Sequence, residues 1–141
     1  MKHLLLKKLI KKILINHNLI NEHAETCANA LINAELVGAP SHGLSRLRMY
    51  CERISKKVIN PKPKIKIKKI SQSISHIDAD NSIGFVAADT AIKVGIKNAK
   101  KTGIGLVAVK NSGHYGLSGY YAEQAVKKGL MVMVFTNAPP A

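Results

Sequence analysis

The apolar positions of the first sixty residues repeat at the spacing of amphipathic helices. One helical face is formed by apolar residues at i, i+3, i+4, i+7 and i+8, namely Leu6, Leu9, Ile10, Ile13 and Leu14. A second helix is expected to have Asn21 as its N-cap and to end at Gly38 and Pro40. Its inward side carries Ala24, Cys27, Ala28 and Leu31. The chain is therefore expected to begin with a small helical unit.

A third helix is expected to run from about Ser41 to just before Asn60 and Pro61. Its core face is apolar and consists of Leu44, Leu47, Cys51 and Ile54. On one continuous helix His42, Arg46 and Tyr50 would lie at i, i+4 and i+8. These three polar side chains are therefore expected to project together, away from the core face.

From residue 61 onward the pattern changes to strands that alternate with helices. Strands are expected at 64–70, where lysines alternate with isoleucines, and at 74–78, followed by a turn at 80–82. A helix comes next, with Ala88, Ala91, Ile92, Gly95 and Ala99 on its inner side. Continuous apolar runs at 104–109 and 131–135 predict buried strands, and a helix is expected between them at 120–128.

This order of elements predicts an α/β fold, with an N-terminal helical unit followed by a mixed α/β sheet layer. Two domains are expected: a helical region over residues 1–60 and the first part of an α/β domain over residues 61–141. Pro139, Pro140 and Ala141 follow the last predicted strand directly. Because a sheet ending there would leave an edge or a face uncovered, the chain is expected to be a truncated fragment.

The chain is strongly basic, with a net charge of +14 concentrated in residues 2–12 and 56–69. Such patches can attract nucleic acid or an anionic membrane, and a positive field also favours a small anionic substrate. Solvated lysine faces are the simpler interpretation. An aromatic content of 4% argues against a protein that stacks nucleic-acid bases. Lysines interrupt the first twenty residues, which predicts a helix there and neither a signal peptide nor a membrane span.

Cysteines and histidines outside the motifs suggest no further chemistry. Cys27 and Cys51 lie far apart and are expected to be buried thiols in a reducing cytoplasm. Four histidines form no ligand cluster, namely His3, His17, His23 and His76. No metal site is therefore expected.

The segment Ser41-His42-Gly43, with Arg46 and Tyr50 beyond it, carries groups that suit a 2-oxo acid substrate. A guanidinium offers two parallel donors to a carboxylate. An imidazole can exchange a proton with the substrate oxygen while hydride moves to or from the carbon. Ser41 fits either a partner of the imidazole or a helix cap. An exposed polar helix face fits the same spacing, so the spacing alone leaves both interpretations open.

A second motif, at residues 111–121, joins the predicted strand at 104–109 to a helix. Gly113, Gly116 and Gly119 recur at three-residue intervals, which lets a backbone approach a ligand closely, and a helix N-terminus favours phosphate. The spacing is not that of the GxGxxG dinucleotide fingerprint, and no acidic residue lies about twenty positions further on. A plain strand-to-helix turn fits equally well.

Together the motifs resemble the malate/L-lactate dehydrogenase type 2 family in four blocks. These are SHG-x-x-R-x-x-x-Y at 41–50, Asp78-Ala79-Asp80-Asn81 with Gly84 and Ala87-Ala88, Asn111-Ser112-Gly113-His114-x-Gly116, and Thr136-Asn137-Ala138-Pro139-Pro140. The resemblance implies a fold distinct from Rossmann, usually dimeric, with NAD or NADP between a helical catalytic region and a sheet domain. It implies hydride transfer to or from a 2-oxo/2-hydroxy acid. Family members are much longer, so the resemblance implies the first part of such an enzyme.

Carried over residue by residue, the resemblance assigns His42 as proton donor and acceptor with Ser41 as its partner. Arg46 would hold the substrate carboxylate and Tyr50 would line the pocket. The positions assigned to the cofactor are His114, Tyr115, Gly116, Leu117, Ser118, Thr136, Asn137 and, through its backbone, Ala138. In some members the histidine matching His114 is the catalytic base, so both histidines remain candidates. The alternatives are a non-catalytic remnant and a basic nucleic-acid-binding module.

Overall fold

A computed structural model describes residues 2–137 of the chain, which form five α-helices, two 3₁₀ turns and three β-strands. In chain order these are α1 (Lys2–Asn16), α2 (Asn21–Leu36), the 3₁₀ turns Pro40–His42 and Leu44–Arg46, α3 (Leu47–Ser55), β1 (Lys66–Lys69), β2 (Ile74–Ser82), α4 (Gly84–Thr102), β3 (Leu106–Ser112) and α5 (Ser118–Val126). The predicted α/β class is confirmed.

Helix α1 packs along α2 largely through the predicted apolar face. Ile10 and Leu14 are fully buried and Leu6 and Ile13 lie at the edge of the same core, whereas Leu9 is exposed, contrary to prediction. The predicted inward residues of α2 are all buried, namely Ala24, Cys27, Ala28 and Leu31. This core continues onto α3 and the start of α4, so the helical part and the sheet part are packed together.

Charged and capping residues at the α1–α2 junction differ in part from expectation. Asn21 is the first residue of α2, and the cap position is Ile20, which provides no side-chain hydrogen bond. Lys7 and Lys11 both bind the carboxylate of Glu25, at 2.5 and 2.8 Å. Part of the basic N-terminal run therefore ties α1 to α2. Within residues 2–137 no helix has the length and apolar content needed to cross a membrane.

The third predicted helix is broken at its start. Residues 40–46 form two 3₁₀ turns, and the α-helix begins only at Leu47. Gly43 separates the turns with a φ of −99° and a ψ of −137°, which no helix contains. Because the segment is not one continuous helix, His42, Arg46 and Tyr50 do not project in one line as the spacing predicted.

Three strands form a mixed sheet in the order β1-β2-β3, in which β2 is antiparallel to β1 and parallel to β3. Helix α4 connects the two parallel strands and covers one face, where Ser75, Ile77 and Ala79 are buried. Asn98 of α4 reaches this face and donates a hydrogen bond to the Ser75 hydroxyl at 3.1 Å. The antiparallel β1–β2 pair distinguishes this sheet from the parallel Rossmann sheet.

The predicted burial of the sheet region is too high in several places. All four residues of β1 are exposed, so its isoleucine Ile67 does not face a core. Strand β3 is mostly exposed, and residues 131–135 form no strand, with Met131, Met133 and Phe135 exposed. An apolar run is buried only where another layer covers it, and in the described part of the chain nothing covers these segments.

The predicted turn at 80–82 lies instead within β2, which continues to Ser82. Asp80 and Asn81 have φ values of 51° and 54°, and the pairing with β3 shifts register between Asp78 and Ser82. Residues of the Asp and Asn type tolerate this left-handed backbone, so they form a bulge within the strand. The predicted inner residues of α4 are only partly buried, whereas its first turn, with Phe85, is fully buried.

Candidate active site

The SHG segment, which is the pair of 3₁₀ turns at residues 40–46, is held in place by a carboxylate of the preceding helix. Glu35, near the end of α2, accepts a hydrogen bond from the backbone N–H of Leu44 at 2.6 Å. A Cβ atom on Gly43 would overlap the same carboxylate, which explains why residue 43 is glycine. Sequence reasoning missed Glu35. An acidic residue in the last turn of a helix is unfavourable to the helix dipole, and this was a usable signal that the carboxylate has another task.

Ser41, His42 and Arg46 form one hydrogen-bonded unit at the surface. The Ser41 hydroxyl lies 3.0 Å from Nδ1 of His42, as the partner role of Ser41 requires. The Nε group of Arg46 donates to the Ser41 carbonyl at 2.8 Å. Within residues 2–137 the guanidinium of Arg46 forms no ion pair with a carboxylate. This leaves the exposed guanidinium able to bind an incoming anion.

The glycine-rich loop at 113–117 is packed against the start of α4. A Cβ atom on Gly84 would overlap the backbone carbonyls of Gly113 and His114, so this close approach requires glycine at residue 84. Gly116 has a φ of +77° and lies against the ring of Phe85. The loop therefore rests on the first turn of α4, which is buried in the core.

A second anchor for the loop comes from α5. The hydroxyl of Tyr121 donates a hydrogen bond to the carbonyl of Tyr115 at 2.7 Å, and the two rings lie 5.7 Å apart. Tyr121 is buried. Sequence reasoning missed this contact because two adjacent tyrosines, Tyr120 and Tyr121, at the start of a helix do not reveal which ring is buried.

Tertiary packing brings the two motifs together. The rings of His42 and His114 stack with centroids 5.7 Å apart and planes inclined by 23°. The hydroxyl of Tyr50, on α3, lies 2.6 Å from Nδ1 of His114, and the Tyr50 ring packs edge-on against Phe85 at 5.0 Å. The two candidate histidines thus share one site, next to the guanidinium of Arg46.

Tyr50 is oriented differently from the prediction. Instead of projecting outward with His42 and Arg46, its side chain is 1% exposed and only its hydroxyl reaches the site. Burial raises the pKa of Tyr50 well above its ordinary value, so the phenol stays protonated at neutral pH. Partial burial lowers the pKa of His114, and the positive charges of His42, Arg46 and Arg53 lower it further. A neutral His114 is the result.

The second and third motif blocks are joined at the end of the sheet. Asp78 accepts a hydrogen bond from the amide of Asn111 at 2.9 Å, and Asn111 has a φ of 53°. Asp80 accepts bonds from the Asn60 amide at 3.0 Å and from the Lys64 backbone at 2.8 Å. Asp78 therefore fixes the backbone that leads into the glycine-rich loop, whereas Asp80 holds the segment at 60–64 that precedes β1.

The structure does not bring Thr136 and Asn137, the described residues of the last motif block, to the site. Thr136 and Asn137 lie in an exposed segment without regular structure, where the Thr136 hydroxyl donates to the neighbouring Asn137 carbonyl at 3.3 Å. Ala138 lies outside the described residues. Leu117 and Ser118 stand at the start of α5. Across residues 2–137 no three side chains of the His, Cys, Asp and Glu types are grouped as metal ligands would be.

Replacing Glu35 with alanine is expected to lower the free energy of unfolding by about 1–2 kcal/mol, because the Leu44 N–H loses its acceptor. Chemical denaturation measures the change. Glu35→Gln keeps an acceptor oxygen and serves as the control, with a loss well below that of the alanine variant. Equal losses in both variants would show that the charge of Glu35 matters rather than the bond to Leu44.

Comparison with known proteins identifies relatives of the whole chain. The family model described as malate/L-lactate dehydrogenase matches residues 1–141. An L-sulfolactate dehydrogenase from Methanocaldococcus jannaschii is 38% identical over 135 residues, which is 96% of this chain and 39% of that protein. A malate dehydrogenase from Pyrococcus abyssi is 44% identical over 119 residues, covering 84% of this chain and 33% of the relative.

The fold agrees with a solved structure of the same kind. The malate dehydrogenase from Pyrococcus horikoshii OT3 superposes with a TM-score of 0.85 at 38% identity, over 87% of this chain and 35% of the other. The chain therefore spans between 33% and 39% of the length of these relatives.

Proposed function

This chain belongs to the malate/L-lactate dehydrogenase family, and we propose that it carries the proton-transfer site of an NAD(P)-dependent dehydrogenase for 2-hydroxy and 2-oxo acids. The observation that supports this most directly is the stacking of His42 on His114 at 5.7 Å. Two motifs that are far apart in sequence meet there, beside an exposed guanidinium. A structural role alone does not require two imidazoles and a guanidinium at one surface.

Each group has a task in such a reaction. Arg46 binds the carboxylate of the substrate through its planar pair of donors. His42 donates a proton to the oxo group during reduction, or accepts it from the hydroxyl during oxidation, with Ser41 holding its Nδ1. His114, stacked on His42, would contact the substrate or the cofactor. The basic surface of the chain favours the approach of an anionic substrate.

The loop at residues 113–118 suits a ligand that is bound partly through backbone groups. A Cβ atom on Gly113 would meet nothing within 4 Å, so the backbone there is open, and the loop leads into the N-terminus of α5. His114, Tyr115, Gly116, Leu117 and Ser118 would contact NAD(P), which supplies the hydride chemistry when bound. Thr136, Asn137 and Ala138 complete the cofactor set in the proposal through the family resemblance alone.

Relatives differ in their dinucleotide. The name of an Escherichia coli (strain K12) relative, a ureidoglycolate dehydrogenase, specifies NAD(+), and that of a Chromohalobacter salexigens relative, a (2R)-3-sulfolactate dehydrogenase, specifies NADP(+). The proposal therefore includes both dinucleotides. It also includes a homodimer, from the family resemblance, and a reducing cytoplasm, which suits two free buried cysteines.

Titration of the purified 141-residue chain with NADH and with NADPH, followed by nucleotide fluorescence, tests the proposal. Saturable binding of at least one dinucleotide is expected. His114→Ala should weaken it, whereas His17→Ala, at a histidine outside both motifs that is hydrogen-bonded to Ser55, should not. A folded chain that binds neither dinucleotide would contradict the proposal. Malate, lactate and sulfolactate are the substrates to add next.

A further inference from the structure

Nδ1 of His114 lies opposite two donors. The backbone N–H of Gly116 points at this nitrogen from 3.3 Å, and the Tyr50 hydroxyl lies 2.6 Å from it. An amide N–H can only donate a hydrogen bond, so Nδ1 has to accept, and a nitrogen that accepts carries no proton. The Tyr50 hydroxyl, facing the same lone pair, is then also a donor. Neutral His114 is left with its proton on Nε2.

We propose that Tyr50 is a positioning residue that holds His114 in its neutral Nε2–H form, so that His114 donates a hydrogen bond to the bound ligand while His42 exchanges the proton of the reaction. The identity of that ligand rests on the proposed function. The tautomer of His114 does not, because it follows from contacts within the chain.

Tyr50 is rigid enough for this task. Tyr50 is 1% exposed and packs edge-on against Phe85, and Gly116 lies against the same phenylalanine ring. The two donors that face Nδ1 are therefore both fixed by the first turn of α4. A hydroxyl held in this way fixes the orientation of the imidazole ring and also selects its tautomer.

The charges around His114 also favour its neutral form. The groups that face it are His42 and Arg46 on the SHG segment and Arg53 on α3, and all of them are cationic or become so by protonation. No carboxylate in the described part of the chain contributes to its titration. A second positive charge on His114 is thus unfavourable, in keeping with its lowered pKa.

His42 has a different kind of partner. Its Nδ1 lies 3.0 Å from the Ser41 hydroxyl, which can either donate or accept a hydrogen bond. The serine therefore accommodates both the neutral imidazole and the imidazolium after a simple rotation of the hydroxyl. Cycling between the two forms is what a proton donor and acceptor must do. At His114 the Gly116 N–H, which can only donate, opposes it.

Long-range ¹H–¹⁵N NMR of the 141-residue chain tests the assignment directly. In the wild type, His114 should show a protonated Nε2 and an unprotonated Nδ1. In Tyr50→Phe the neutral form loses one hydrogen bond, so the pKa of His114 should rise by about half a unit to one unit. Tyr120→Phe removes a hydroxyl from α5 that makes no hydrogen bond to either histidine and should leave this pKa unchanged.

Protonation of neutral His114 at Nδ1 in the wild type would overturn the inference. This measurement uses the wild-type chain alone and does not depend on the folding of a variant. An unchanged pKa in a folded Tyr50→Phe chain would also overturn it. Dinucleotide titration reports separately on the proposed function: a chain with the expected tautomer that binds no dinucleotide loses the function and keeps the tautomer assignment. A chain that binds NADH but has His114 protonated at Nδ1 keeps the proposed function and loses the tautomer assignment.

Discussion

In the proposed dehydrogenase, replacing His42 with alanine is expected to lower kcat for oxo-acid reduction by a factor of about 10² to 10⁴, the contribution usual for a positioned general acid. His42 is the histidine whose partner permits both protonation states. The measurement is the disappearance of reduced nicotinamide with a 2-oxo acid present. Dinucleotide affinity should change little, because the loop that includes His114 stays anchored by Gly84 and Tyr121.

His17→Ala is the matched control for this loss. His17 is hydrogen-bonded to Ser55 and lies outside the two motifs, so kcat should be the same as in the wild type. If His42→Ala lowers kcat by less than about tenfold, His42 is not the proton donor. His114→Ala would then become the variant to compare, with its effect on kcat separated from its effect on dinucleotide binding.

Replacing Gly84 with alanine is expected to lower the free energy of unfolding by about 2–3 kcal/mol, near the upper end for an added buried methyl group. The new Cβ would overlap the carbonyls of both Gly113 and His114, which are backbone atoms and cannot rotate away. The loop must move, so the stacking of His114 on His42 and the affinity for NADH should both decrease. Chemical denaturation and the nucleotide titration measure the two effects.

Gly113→Ala, on the opposite side of the same contact, is the control. A Cβ at Gly113 would meet nothing within 4 Å, and its φ is not in the left-handed region, so stability should remain within about 1 kcal/mol of the wild type. If both variants are equally stable, the close packing of the loop on α4 does not hold the site together.

The roles of Tyr50 and Glu35 show where sequence reasoning stopped. Helical spacing placed Tyr50 on an outward line with His42 and Arg46, but two 3₁₀ turns break that line and turn the ring into the core. Glu35 contacts the SHG segment only because the chain reverses at Gly38, which has a φ of +76°. Both contacts depend on the path of the backbone between elements, which residue spacing does not describe.

Local pattern was sufficient wherever neighbouring residues in the chain decide the structure. The buried face of α2 and most of that of α1 followed from helical periodicity, and the family followed from four short motifs in order. For Ser41 the residues alone left two roles open, a helix cap and a partner of His42, and the family resemblance favoured the second. The structure has the hydroxyl 3.0 Å from Nδ1 of His42.

Only the tertiary structure decided which residues from distant segments meet and which apolar segments are buried. The stacking of His42 on His114, and the Tyr50 hydroxyl at His114, depend on α3 and the loop at 113–117 both packing against Phe85. Exposure of β3 and of residues 131–135 likewise depends on what lies next to them. The apolar character of a segment predicts that burying it lowers the free energy of the folded chain. Whether another segment actually covers it depends on how the whole chain packs.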